Sequence, residues 1–320
     1  MESILPPFAR VMQAIAVEKE HSMPIEQHAP ALTRIVSPGQ EIEELASGFG
    51  NENGPAEGPL WWHEGGYLLF SDIGNNRRMQ WTPGKGVSVA HEPTNRANGL
   101  TRDPQGRLVA CEAEARRVTR IDADGSVTVM ANEYHGRRIN RPNDVVVKSD
   151  GSMYFTDPGV GRVESELDFN GVYRVAPDRG SIHLLVRDFV LPNGLCFSPD
   201  ERILYINDSR RRHIRAFEVE PTGLLALATD RVFCLMTGER PGNPDGMKVD
   251  REGNVYCTGP GGIWILDPAG AHLGTILTRE STTNIAWGDD DWSTLYLTMR
   301  TTLARIRLQI PGVPVPSGSR

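Results

Sequence analysis

Several signals are missing from this chain, and each absence narrows what it can be. Cysteine is scarce, with four in 320 residues, and Cys111, Cys196, Cys234 and Cys257 show no CxxC spacing. A thiolate metal centre or a disulfide scaffold is therefore not indicated, and reduced, space-filling thiols point to a cytoplasmic protein. No apolar run approaches the roughly 20 residues needed to span a bilayer, and the first 30 residues lack a signal-peptide core. Positive charge is outweighed: the formal net charge is −7. Phosphate backbones need a basic surface, so nucleic acid is excluded as a partner. There is no HExxH, no GxSxG elbow and no Walker loop, which removes zinc proteases, serine hydrolases and P-loop enzymes. GVGRVE, at residues 159–164, lacks the third glycine of a dinucleotide loop and no helix follows it.

What is present is a repeat. Residues 142–157 read PNDVVVKSDGSMYFTD: a polar pair, an apolar strand, a tight turn and a second strand ending on an acid. Related copies open at Glu57, Asn98, Asn193, Asp245 and Asn284, spaced 41 to 52 residues from their neighbours or, for the last, 39. A third and often a fourth strand follow each copy. Four strands per unit at this period is the pattern of a propeller blade. The expectation is an all-β, six-bladed β-propeller occupying residues 41–310.

Residues 1–40 fall outside the repeat. Phe8, Val11, Met12 and Ile15 have helical spacing, so a short amphipathic helix is expected, able to dock on the propeller or on a second copy of the chain. Residues 20–40 read as a linker. EIEELA, at 41–46, resembles a fourth strand that precedes its own blade, while the last blade lacks one. The N-terminal strand should therefore complete the last blade and close the ring. Residues 311–320, rich in Pro, Gly and Ser, read as a flexible tail. Trp61 and Trp62 are read as packing between blades.

Superposing the copies puts Glu57, Asn98, Asn143, Asn193, Asp245 and Asn284 around one end of the channel. Asp72, Glu112, Asp157 and Asp208 close the second strands at that same face. Asn-Gly and Asp-Gly are ordinary turn dipeptides, but carboxylates crowded on one axis repel unless a cation is present. Two carboxylates with several amides are hard oxygen donors of the kind that hold Ca²⁺; Zn²⁺, Mn²⁺ and Fe²⁺ also suit parts of such a site. A metal there can polarise a carbonyl while Asp245 or Asp208 takes a proton from water. The reaction class is hydrolysis of a reactive ester, most naturally a lactone. Arg141, two residues before Asn143, and His135 on the preceding linker are candidates to overhang the pocket. Residues 157–170 are expected as a lid.

EGPLWW, NRPND, LPNG with YINDS, and NPDGMKVDREGNVY, in that order across residues 45–308, resemble the senescence marker protein/gluconolactonase/luciferin-regenerating enzyme family, in particular its bacterial gluconolactonase branch. The resemblance implies a six-bladed propeller with one catalytic divalent ion. By motif it implies metal ligation by Glu57, Asn193 and Asp245, with Asn143 touching metal or substrate. It implies Asp245 as acid/base, Asp208 as an acid beside the site, and Arg141 as a substrate-binding arginine, a position where the bacterial branch commonly has a small residue. FTDPGVG departs from the more usual FTDPPYG, altering the lid. The expected function is a metal-dependent lactonase in which Arg141 and Asn98 orient substrate hydroxyls. A phosphotriesterase-like hydrolase and a non-catalytic propeller plugged by calcium are the rival readings.

Overall fold

In the computed structural model, residues 25–159, 164–177 and 181–316 are described. The helix expected around residues 8–15 and the second glycine of the expected lid, Gly161, lie outside them. The described chain is nearly all strand, folded as six antiparallel sheets arranged as a six-bladed propeller, plus a two-stranded ribbon at Glu133–Tyr134 and Arg137–Arg138. No helix among the described residues is long and apolar enough to cross a membrane.

Each blade begins on an inner strand, and these are Ala56–Trp62, Ala97–Arg102, Val145–Val147, Pro192–Phe197, Met247–Val249 and Thr282–Gly288 for blades 1 to 6. Second strands such as Met153–Asp157 and Val255–Gly259 are buried throughout, because they lie between neighbouring blades. That sandwiching is why they read as continuous apolar runs rather than as alternation. Outer strands such as Gly86–His91 are largely exposed. Aromatic side chains fill the seams: Trp61 of blade 1 stacks on Tyr296 of blade 6 with centroids 5.4 Å apart. Trp62 instead lies under the Arg102 guanidinium, 4.2 Å from its ring centroid.

The ring closes as expected. Glu43–Ser47 pairs antiparallel with Thr302–Arg307, so the N-terminal segment supplies the outer strand of blade 6. Residues 25–40, the described part of the linker expected over residues 20–40, pack onto the propeller. Ile25–Gln27 adds a fifth strand to blade 5, and Leu32, Ile35 and Val36 are buried against blades 5 and 6. Residues 311–316 likewise depart from a flexible tail. Gly312 bridges Asp250 and lies so close to Trp287 that a β-carbon would fall 1.8 Å from its ring. Val313, Pro314 and Val315 line an apolar cavity at the lower end of the channel together with Val145 to Val147 and Val249. The lower mouth is thus covered by apolar chain, which leaves the upper mouth as the polar approach.

Candidate active site

Inner strands start at the upper mouth, and second strands return to it. Cross-strand pairing sets Asp72 opposite Ala56, Glu112 opposite Ala97, Asp208 opposite Pro192 and Met299 opposite Thr282. The six leading polar residues therefore converge, one from each blade. In four blades the next residue is glycine, for a steric reason. A β-carbon at Gly58 would sit 2.1 Å from the Asn98 carbonyl oxygen, and one at Gly194 would sit 2.0 Å from that of Asp245. At Gly246 it would sit 2.0 Å from Asn284 Oδ1, and at Gly99 2.5 Å from Asp144 Oδ1. Each blade start is pressed against the next. Side chains at the ends of second strands fix the contact: Ser71 Oγ donates to Asn98 O at 2.7 Å and Thr156 Oγ1 to Asn193 O at 2.8 Å.

Hydrogen bonds run around the mouth. Asn98 Nδ2 donates to Asn143 Oδ1 at 2.6 Å, and Asn143 Nδ2 donates to Asn193 Oδ1. The Asp245 carboxyl lies beside the side chains of Asn193 and Glu57, which act on its titration. Asn284 Nδ2 donates to Glu57 Oε2 at 3.0 Å, and the Gly58 amide donates to the same oxygen at 2.6 Å. Glu57 is buried; Asn98, Asn143, Asn193 and Asp245 are half-buried at the opening.

Burial, then the neighbouring Asp144 carboxylate, raise the Glu57 carboxyl above its ordinary range. Asp245 is pushed well up too, by burial first and then by Glu57 and Asp144. Asp144 is itself buried and raised by burial, with the Lys248 ammonium partly offsetting this. Three carboxylates and one ammonium carry a net −2 when ionised. That deficit matches a divalent cation, and the oxygen-only donor set is the chemistry a hard ion takes. Among the described residues no group of three His, Cys, Asp or Glu side chains is placed to hold a metal. An ion here would rely on Glu57 and Asp245 together with amide oxygens.

Three expected residues, Asp208, His135 and Arg141, lie outside the ring of leading residues. Asp208 Oδ2 accepts from the Val190 amide at 2.7 Å, and Oδ1 accepts from those of Leu191, Arg210 and Arg211 at 3.2, 2.9 and 3.0 Å. Both oxygens are committed to the loop backbone, so Asp208 is not a spare base. Asp72 and Glu112 are similarly paired, with Arg77 and Arg117, each at 2.8 Å. His135 is exposed at the turn of the two-stranded ribbon, with its ring against Tyr134. Arg141 is held at the rim by its amide, which donates to Pro158 O at 3.1 Å, and it lines an open pocket there with Arg96 and Arg116. Asp144 is the residue that the superposed copies did not put at the mouth. One signal was present: Asp144 is the carboxylate that stands where four other blades have glycine.

A family model described as SMP-30/Gluconolactonase/LRE-like region matches residues 55–301. The chain is 31% identical to the gluconolactonase of Zymomonas mobilis, over 90% of this chain and 87% of that protein. It is 26% identical to pentonolactonase XacC of Haloferax volcanii, over 76% and 80%. The solved structure of a gluconolactonase from Xanthomonas campestris superposes with a TM-score of 0.79 at 32% identity, covering 89% of this chain and 94% of that one. A calcium-binding regucalcin of Agrobacterium tumefaciens shares the fold, with a TM-score of 0.70 at 22% identity over 85% of this chain and 97% of that one.

Proposed function

The chain belongs to the SMP-30/gluconolactonase/LRE-like family and is a lactonase, and from that premise we propose that it opens a small sugar lactone at the upper mouth with the help of a divalent cation. What supports the reading is the pairing of Glu57 and Asp245, two neighbouring carboxylates from blades 1 and 5, among amides from the other four blades. Glu57, Asn193 and Asp245 would hold the ion, most simply Ca²⁺, with Asn143 beside them; when bound, it would polarise the lactone carbonyl.

The remaining chemistry belongs to the side chains. Asp245 stands at the opening, where a water attacking the carbonyl carbon can lose its proton to the carboxylate. The bond from the carbonyl carbon to the ring oxygen then breaks, and that oxygen leaves as an alcohol on receiving the proton back from Asp245. Asn98 and Arg141 orient the hydroxyls of the sugar. Asp208 fixes the backbone behind Asn193 and takes no proton. Four free cysteines, three of them buried, fit action in a reducing cytoplasm.

The test is hydrolysis of glucono-1,5-lactone and a pentonolactone followed by pH-stat, on metal-stripped protein with single divalent ions restored. Turnover that returns with an ion supports the reading and identifies the ion. Ion binding with no turnover of any lactone would sink it.

A further inference from the structure

Beside the ring lies a second feature that the chemistry above leaves largely unused. Arg96 stands two residues before Asn98, and Arg141 two residues before Asn143, so adjacent blades carry an arginine at the same place on the upper rim. Arg116 follows the second strand of blade 2 and completes the group. These three, with Asn53, Ala113 and Glu114, line an open pocket of about 290 Å³. Resting on the lactonase reading, we propose that this pocket receives an anionic group, a carboxylate or a phosphate, at the end of the substrate remote from the lactone carbonyl. The preferred substrates are then acidic sugar lactones.

Arg116 is built for such a role. Its guanidinium donates to four carbonyl oxygens: Ile139 at 2.8 Å, Asn140 at 3.1 Å, Glu164 at 3.1 Å and Arg138 at 3.3 Å. Carbonyls hold a guanidinium in place without cancelling its charge, and Arg116 makes no ion pair among the described residues. Arg96 donates to the carbonyls of Ile73 at 3.3 Å and Gly74 at 3.2 Å, and lies 3.5 Å from Glu114. Among the described residues Glu114 is the single acid lining the pocket, and it is exposed. The pocket is lined, among the described residues, by three arginines and one acid, in a chain whose net charge is −7.

The backbone is committed to this arrangement. Asn95, Arg96 and Arg116 have φ of +55°, +50° and +57°. Arginine rarely adopts that left-handed region, and such conformations persist where the surroundings hold them. Here Asn76 Oδ1 accepts from the amides of Thr94 at 3.2 Å and Arg96 at 2.7 Å. Planar, forked guanidinium groups recognise carboxylate and phosphate with charge-assisted hydrogen bonds.

The experiment compares kcat/KM for glucono-1,5-lactone, 6-phosphoglucono-1,5-lactone and glucaro-1,4-lactone, in the wild type and in Arg96→Gln. Calorimetric binding of gluconate, 6-phosphogluconate and glucarate is measured in parallel. We expect at least about a tenfold preference for one acidic lactone over the neutral one, weakened by salt and by Arg96→Gln. The phosphate and carboxylate arms distinguish the two sources of charge. Turnover of the neutral lactone with no acidic preference overturns this proposal and leaves the lactonase reading standing. No turnover at all, with tight binding of an acidic product that Arg96→Gln weakens, keeps the anion pocket and removes the reading. Neither turnover nor charge-selective binding removes both.

Discussion

Asn284 sets one side-chain amide between two buried carboxylates, 3.0 Å from Glu57 Oε2 and 3.5 Å from Asp144 Oδ2. The first contact crosses the seam where the last blade meets the first. Ring closure and the candidate ion site therefore depend on the same side chain. Asn284→Leu keeps the volume but leaves both acids short of a donor. An unsatisfied buried acceptor costs about 1–3 kcal/mol. Expected outcomes are a loss of stability of that size in urea unfolding and a fall in kcat of at least about tenfold, because Glu57 loses the donor that orients it.

Gly194→Ala tests the close approach of neighbouring blade starts. Its β-carbon would fall 2.0 Å from the Asp245 carbonyl oxygen, a backbone atom that cannot swing away. Moving it displaces the residue proposed as base. Overpacking costs about 1–3 kcal/mol or more, and activity should fall with stability. Gly84→Ala is the control: nothing lies within 4 Å of its β-carbon, and its φ of +73° gives it only the left-handed penalty of about 1–2 kcal/mol. Gly84→Ala should leave kcat unchanged, and a comparable fall in kcat in both variants would remove the steric account.

The repeat made the six leading residues legible, since copies of one unit must project equivalent residues to one mouth. It also exposed the closing strand, because a strand pattern stood ahead of its blade. Three features were hidden for physical reasons. Ile25–Gln27 is a three-residue strand added to the edge of blade 5, too short to show periodicity. Residues 311–316 were expected to be flexible from their Pro and Gly content, but Gly312 is glycine because Trp287 leaves no room for a side chain. Asp208 resembled a spare acid because its partners are backbone amides, which a sequence does not display.

Asp157 gives the protein a pH dependence separate from the site. Its carboxyl group is fully buried, one oxygen accepts the Asn140 amide at 2.7 Å, and the other has no hydrogen-bond partner among the described residues. Burial pushes its pKa up to about 7, against an ordinary value of 3.8. Between these values the folded state holds a proton that the unfolded chain releases, so this group's contribution to stability falls as pH rises from about 4 to about 7. Asp157→Asn retains an oxygen for the Asn140 amide and cannot ionise. The variant should lack about 2–3 kcal/mol of the stability loss that the wild type shows between pH 5 and pH 8. Urea unfolding at the two pH values measures it, and parallel losses in both proteins would show that Asp157 does not carry the effect.

Stripping divalent ions should destabilise the fold, and more so at high pH. Without a cation, Glu57, Asp245 and Asp144 repel one another, which is part of why Glu57 and Asp245 hold their protons to higher pH. Protons and a cation compete for the same oxygens, so ion affinity should rise with pH until both carboxyls are ionised. A cation at about a hundred times its Kd would stabilise the folded state by about 2.7 kcal/mol. In thermal melts, the shift produced by Ca²⁺ should therefore grow between pH 5 and pH 8. Asp245→Asn removes one of the two carboxylates and the proposed base together. It should abolish turnover and shrink the Ca²⁺ shift, while its melt without added ion stays at or above that of the wild type, because the repulsion has gone. A variant that instead melts far lower without ion would assign Asp245 a structural role, and one that retains turnover would remove it as the base.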